Sequence, residues 1–141
     1  MMNAGNALRR AGADFLVICA NTMHRMADEV QAAAGLRHVG LLGTRYTMDQ
    51  DFYRGRLIER HGLEVTVPAD ADREFVHDVI YDELCRGAVS NTSRERFRTI
   101  LKDFASAGCG GTILGCTELG LLITQHDSTV PLFDTAIIHA E

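Results

Sequence analysis

Gly115, Cys116, Thr117 and Glu118 bring a thiol, a hydroxyl and a carboxylate into one short stretch. Thr112, Ile113 and Leu114 before them are a β-prone run, and the apolar Leu119 to Leu122 after them predicts a helix start. Cys116 then lies at the carboxyl end of a strand and beside a helix N-terminus. In open α/β sheets that edge is where ligands bind. The helix dipole and free backbone N–H groups there favour a thiolate over a thiol. A lone cysteine in such a turn is equally compatible with a packing role. Cys85 and Cys109 read as packing or incidental thiols, His61 and His126 as solvated loop residues, and Arg94, Arg96 and Arg98 as an exposed helix face.

A second stretch has the same design. With Ala11-Gly12 laid over Ala107-Gly108, ADFLVICANT stands over CGGTILGCTE without a gap. Each copy is an Ala-Gly helix end, an apolar strand and a small polar turn. Ala20 falls on Cys116, Asn21 on Thr117 and Thr22 on Glu118. Two βα junctions of one sheet resemble each other in many proteins. The alternative is a pseudo-twofold site in which two turns face each other across a ligand. Such a site suits proton removal from a carbon beside a carboxylate, with proton return from the opposite side. A cysteine can carry the proton. Asn21, Thr22, Thr117 and the turn N–H groups are donors of the kind that hold the carboxylate and its developing charge. Thr44 and Thr47, at a third strand-to-helix turn, add further hydroxyls.

The positioning elements follow from pattern. Ala4 to Arg10 is helix-prone, Phe15 to Cys19 is a buried strand, and Met23 to Ala34 carries apolar residues at helical spacing. Val39 to Leu42 is the next buried strand. Thr47 with Gln50 predicts a capping box for a helix through Arg60, and Leu63 to Val67 is a strand stopped by Pro68. Asp70 and Asp72 predict the first turn of a helix to about Arg86, closed by Gly87. Thr92 with Glu95 predicts a second capping box, for a helix to about Ser106. Val130 to Phe133 is a final strand, and Asp134 starts a short helix carrying His139. Alternating strands and helices give an α/β fold with a parallel sheet flanked by helices.

Composition bounds the partners. The 141 residues are 46% hydrophobic and 23% charged, with a net charge of −5, which argues against nucleic acid or an anionic membrane surface. No apolar run has the length of a membrane span, and no signal-peptide pattern opens the chain, so the expected compartment is the cytoplasm. The four cysteines form no CxxC pair and the six histidines no HxxxH motif, which predicts free thiols and no metal site.

NTMH (Asn21 to His24), LLGTRYTM (Leu41 to Met48), DFYRGRL, YDELCRG (Tyr81 to Gly87), GCTELGLL (Gly115 to Leu122) and VPLFDTAIIHA (Val130 to Ala140) resemble the aspartate/glutamate racemase family, in the family's order and over nearly the whole chain. The resemblance implies a pseudo-symmetric two-domain α/β fold and cofactor-independent inversion of the α-carbon of acidic or related amino acids. It places Cys116 as the catalytic thiol, with Glu118 and His139 as polar groups that hold or tune the acid/base residues. Asn21, Thr22 and Thr117 match substrate-binding positions, and Arg86 corresponds to a basic residue meeting the substrate's distal carboxylate.

Three departures accompany the match. Ala20 stands where the family has its other acid/base residue, and a methyl group carries no proton. Cys19, one residue away, points to the opposite face of its strand. The chain also lacks the family's opening glycine-rich strand, and the run from His24 to Val39 is short by a strand and a helix. The expected organisation is a remnant of an N-terminal racemase-like domain over 1–35, a C-terminal α/β domain over 36–127, and a returning strand with terminal helix over 128–141. A strand as apolar as Phe15 to Cys19 with few neighbours predicts self-association, as a homo-oligomer, or poor solubility. The primary functional expectation is an amino-acid racemase acting on a small-molecule substrate without cofactor. One-cysteine decarboxylase or isomerase chemistry, and a silent chain that binds small carboxylates, are the alternatives.

Overall fold

The computed structural model describes residues 36–140. Four strands, β1 (His38–Leu42), β2 (Glu64–Thr66), β3 (Gly111–Leu114) and β4 (Leu132–Asp134), form one sheet in the order β2-β1-β3-β4. All three pairings are parallel, with Val39 opposite Val65 and Gly111, and Ile113 opposite Phe133. Every residue from Val39 to Leu42 and from Gly111 to Leu114 is buried, so the sheet is covered on both faces, as its unbroken apolar strands demand. The expected helices and strands before residue 36 lie outside the described residues.

The helices are α1 (Arg45–Asp49), α2 (Arg54–His61), α3 (Asp70–Asp78), α4 (Asn91–Ser106), α5 (Leu119–Leu122) and α6 (Thr135–Ala140). Helix α4 supplies Phe97, Ile100, Leu101 and Phe104 to the core; Val76, Val79, Ile80 and Leu84 come from α3 and its continuation. Gly40 marks the tightest helix-to-sheet approach, since a Cβ there would run into the Phe104 ring. Helix α3 does not continue as plain α-helix to Arg86. It passes into a π turn (Val79–Glu83) and a 3₁₀ turn (Leu84–Arg86), ended by Gly87 at φ 74°. Glu83 is held there by the buried Ser93, whose hydroxyl lies 2.8 Å from both carboxylate oxygens.

Several boundaries depart from the sequence expectation for local reasons. The first capping residue is Thr44 rather than Thr47: its Oγ1 accepts from the Thr47 N–H at 3.4 Å, and α1 ends before Gln50. A turn then separates α1 from α2, so no single helix reaches Arg60. Helix α4 is capped by Ser90, which accepts from the Ser93 N–H, not by Thr92. In both cases a hydroxyl nearer the preceding turn reaches the free N–H first. Arg94, Arg96 and Arg98 are not an idle exposed face. Arg94 Nε donates to the Leu122 carbonyl at 2.8 Å, Arg96 pairs with Asp72 at 2.7 Å, and Arg98 pairs with the nearly buried Asp127 at 2.7 Å. These side chains fasten α4 to α3 and to the segment leading into β4.

Candidate active site at the carboxyl edge of the sheet

The chain leaves β1 toward β2 on one side and later returns to β3 on the other, continuing outward to β4. The crevice between the carboxyl ends of β1 and β3 is therefore the topological switch point, the usual place for a ligand in such sheets. The turns Gly43-Thr44 and Gly115-Cys116-Thr117-Glu118 meet there. Gly115 N donates to the Leu42 carbonyl at 2.7 Å, locking one turn to the other. A Cβ on Gly115 would lie 3.1 Å from both Leu42 O and the Thr47 methyl, so glycine lets the cysteine turn close against the threonine turn. Thr44 Oγ1 and Thr47 Oγ1 are 3.2 Å apart, with Thr47 buried and Thr44 half-buried.

Cys116 is half-buried and its Sγ donates to Glu118 Oε2 at 2.9 Å. Thr117 Oγ1, exposed, donates to the same oxygen at 2.9 Å. Burial, the hydrogen bond to Glu118 and that group's negative charge push the Cys116 thiol up to about 12. Glu118 moves the other way: the hydrogen bond from Cys116 holds it below its ordinary value against burial, and Thr117 adds to the effect. The proton of the pair thus resides on sulfur. This overturns the expected thiolate. The helix behind Cys116 has only four residues, so its dipole is small, while the carboxylate is in direct contact.

A second layer fixes the turn. Thr135, buried, donates its Oγ1 hydrogen to the Leu114 carbonyl at 2.8 Å, tying the start of α6 to the end of β3. Asp134 Oδ1 accepts from the N–H groups of Ala136 and Ile137, and its Oδ2 occupies the place a Cβ on Gly120 would take. Asp134 is the start of this helix expected from the sequence, and its carboxylate does cap it. Thr135 does not stand out except as part of VPLFDTAIIHA, because nothing local to it signals contact with a strand some twenty residues upstream.

The structure brings Thr44, Thr47, Cys116, Thr117 and Glu118 to one edge. It places His139 on α6, which begins beside the carboxyl end of β4. Arg86 lies in the 3₁₀ turn that packs against α5, but its guanidinium is exposed and bonded to Asp82 at 2.9 Å. Cys85, beside it, is exposed rather than packed. Ala20, Asn21 and Thr22, and with them the proposed twofold partner of the Cys116 turn, lie outside the described residues. Among the described residues no group of three or more His, Cys, Asp or Glu side chains is arranged to hold a metal ion, and no helix is long and apolar enough to cross a membrane.

Known proteins resemble this chain over most of its length. The sequence profile of the family Asp/Glu/Hydantoin racemase matches residues 30–141. A protein of Pectobacterium carotovorum subsp. carotovorum, described as an uncharacterized protein in the pnlA 3′ region, is 35% identical over 101 residues, which are 70% of this chain and 63% of that protein. This chain thus spans less than two thirds of that curated relative. A crystal structure of a proposed Asp/Glu racemase from Yersinia pestis superposes with a TM-score of 0.76 at 47% identity, aligning 98% of this chain with 68% of that one. An aspartate racemase homologue from Pyrococcus horikoshii OT3 gives 0.75 at 41% identity, aligning 97% with 68%. The aspartate racemase of Picrophilus torridus shares the fold, at TM-score 0.65 and 20% identity over 98% of this chain and 64% of that one. With a parallel sheet, a thiol–carboxylate pair at its switch point and this set of relatives, the chain belongs to the Asp/Glu/Hydantoin racemase family.

Proposed function

We propose that this chain carries the thiol half of a cofactor-independent amino-acid racemase acting on aspartate, glutamate or a related small carboxylate. The observation that carries this reading is the 2.9 Å Cys116–Glu118 hydrogen bond at the crevice between β1 and β3. In the resting state Cys116 is a protonated donor, able to deliver its proton to a planar carbanion. In the reverse direction the thiolate, once formed beside Glu118, is a stronger base than an ordinary thiolate, because burial and, after it, the carboxylate destabilise its charge. That basicity suits the weakly acidic hydrogen on an α-carbon. Thr44, Thr47 and Thr117 offer hydroxyls to the substrate carboxylate, where the enolate charge collects. Arg86, once released from Asp82, is the basic group for a distal carboxylate, and His139 and Glu118 tune the proton-carrying groups. Asn21 and Thr22 complete the set from the segment before residue 36. The protein is proposed to act in the cytoplasm, with 1–35, 36–127 and 128–141 as its N-terminal remnant, C-terminal unit and returning segment. Self-association is proposed as well, and a clean monomer by light scattering across a wide concentration range would overturn it.

Ala20 favours a second reading, in which one thiol exchanges the α-hydrogen on one face without inversion. Incubation of L- and D-aspartate and glutamate in deuterium oxide separates the two. Racemisation places deuterium in both enantiomers from either starting material; one-sided chemistry exchanges with retention. Cys116→Ser is expected to abolish both signals. Turnover unchanged by that substitution would overturn the assignment, and no exchange in the parent chain would leave a carboxylate-binding protein.

A further inference from the structure

The mechanism does not use Cys85, yet the fold delivers this thiol to the neighbourhood of Cys116. The 3₁₀ turn Leu84–Arg86 packs directly against α5, whose entry turn is Cys116 to Glu118. Cys85 is exposed, Cys116 half-buried, and neither is bonded to another cysteine. The turn is flanked by irregular backbone on both sides. Upstream, the π turn Val79–Glu83 holds one residue more than an α-helical turn would; downstream, Gly87 adopts φ 74°. Disulfide formation requires the two Cα atoms to come within about 7 Å of each other, and the turn Leu84–Arg86 already has Cα atoms within 8 Å of α5. Cys109 offers no competing partner. It is buried before β3, hydrogen-bonded to His38 at 3.5 Å, whereas Cys116 follows β3 at its other end.

We propose that Cys85 and Cys116 form a reversible disulfide under peroxide stress, withdrawing the Cys116 thiol from proton transfer. Cys85, the exposed thiol, meets the oxidant first. Its sulfur attacks one peroxide oxygen, an S–O bond forms as the O–O bond breaks, and one water leaves. Cys85 is thereby oxidised to a sulfenic acid. Cys116 sulfur then attacks the Cys85 sulfur: the S–S bond forms, the S–O bond breaks, and a second water departs. The Cys116 proton goes to the leaving hydroxide, which departs as that second water. Two thiols and one peroxide give one disulfide and two waters. A dithiol reverses the reaction by exchange.

The functional consequence rests on Cys116 being the working thiol, but the bridge itself is read without any activity. The full chain is treated with hydrogen peroxide, free thiols are alkylated, and intact mass and peptide maps are recorded before and after dithiothreitol. The expected result is loss of two hydrogens and a linked Cys85–Cys116 peptide, both reversed by reductant. Cys85→Ser should remove the link, keep the reduced chain's turnover and leave Cys116 alkylatable or singly oxidised. A bridge from Cys116 to another cysteine, a bridge between chains, or no bridge at all overturns the proposal. A correct bridge in a chain that neither racemises nor exchanges substrate would count against the proposed function alone.

Discussion

At the residue scale, the candidate site is built on one thiol hydrogen-bonded to one carboxylate at 2.9 Å. Glu118 makes Cys116 a weaker acid and a stronger base, and Cys116 makes Glu118 a stronger acid. The pair predicts a specific response to Glu118→Gln. Removing the charge should lower the Cys116 ionisation midpoint from about 12 toward the ordinary thiol value. Thiolate absorbance or alkylation rate against pH reads that midpoint directly. Alkylation near neutral pH should become faster, by up to tenfold for each unit of downward shift. A midpoint that stays where it was would mean that burial alone raises it. Proton transfer to substrate should slow even though the thiolate is more abundant, since its basicity falls with its pKa.

At the element scale, the cysteine turn is held between α5, α6 and the neighbouring threonine turn. Gly120 is where α5 touches Asp134, and Asp134 is already committed to two backbone N–H groups at the start of α6. An added methyl at Gly120 must displace that carboxylate and with it the cap. Gly120→Ala is therefore expected to destabilise the fold by roughly 1–2 kcal/mol, the worth of an N-cap, despite alanine's better helix propensity. Urea denaturation measures it; an unchanged or raised midpoint would show that Asp134 can move away at no cost. Gly40 presents the same problem deeper in the core, against the Phe104 ring, and there the obstacle is an aromatic side chain with nowhere to go.

At the scale of the molecule, ion pairs running from α4 bind the sheet's helical cover to the segment that enters β4. Asp127 is the most enclosed of them. Burial opposes its charge, yet the Thr124 backbone N–H and Arg98 more than offset this and hold it below the usual aspartate value. A carboxylate whose folded pKa is depressed adds stability above its unfolded pKa and loses it as pH falls through the folded value. Stability should therefore decline as the pH drops below the ordinary aspartate value of 3.8. Asp127→Asn should show a shallower decline and lose on the order of 1–3 kcal/mol at neutral pH, the worth of charge-assisted hydrogen bonds. Urea titrations of both proteins between pH 7 and pH 3 compare the slopes. Parallel slopes would place the acid-sensitive group elsewhere.

The alternation of apolar runs with helical patterns and the position of the glycines determined a parallel α/β sheet by themselves, because strands buried on both faces leave an unbroken apolar signature at Val39 to Leu42 and Thr112 to Leu114. The spacing within Gly115-Cys116-Thr117-Glu118 likewise placed a thiol at a strand end. What tertiary structure decided was the company each group keeps. Which hydroxyl caps α1 and α4, and whether three arginines are idle or paired, depend on partners far along the chain. So does the protonation of Cys116. Sequence position suggested a dipole that favours the thiolate; packing buried the sulfur against a carboxylate, and direct contact outweighs a one-turn dipole. The GCTE turn was thus legible as a candidate site from local residue types, while its chemical state was not, because that state is a property of neighbours in space rather than in sequence.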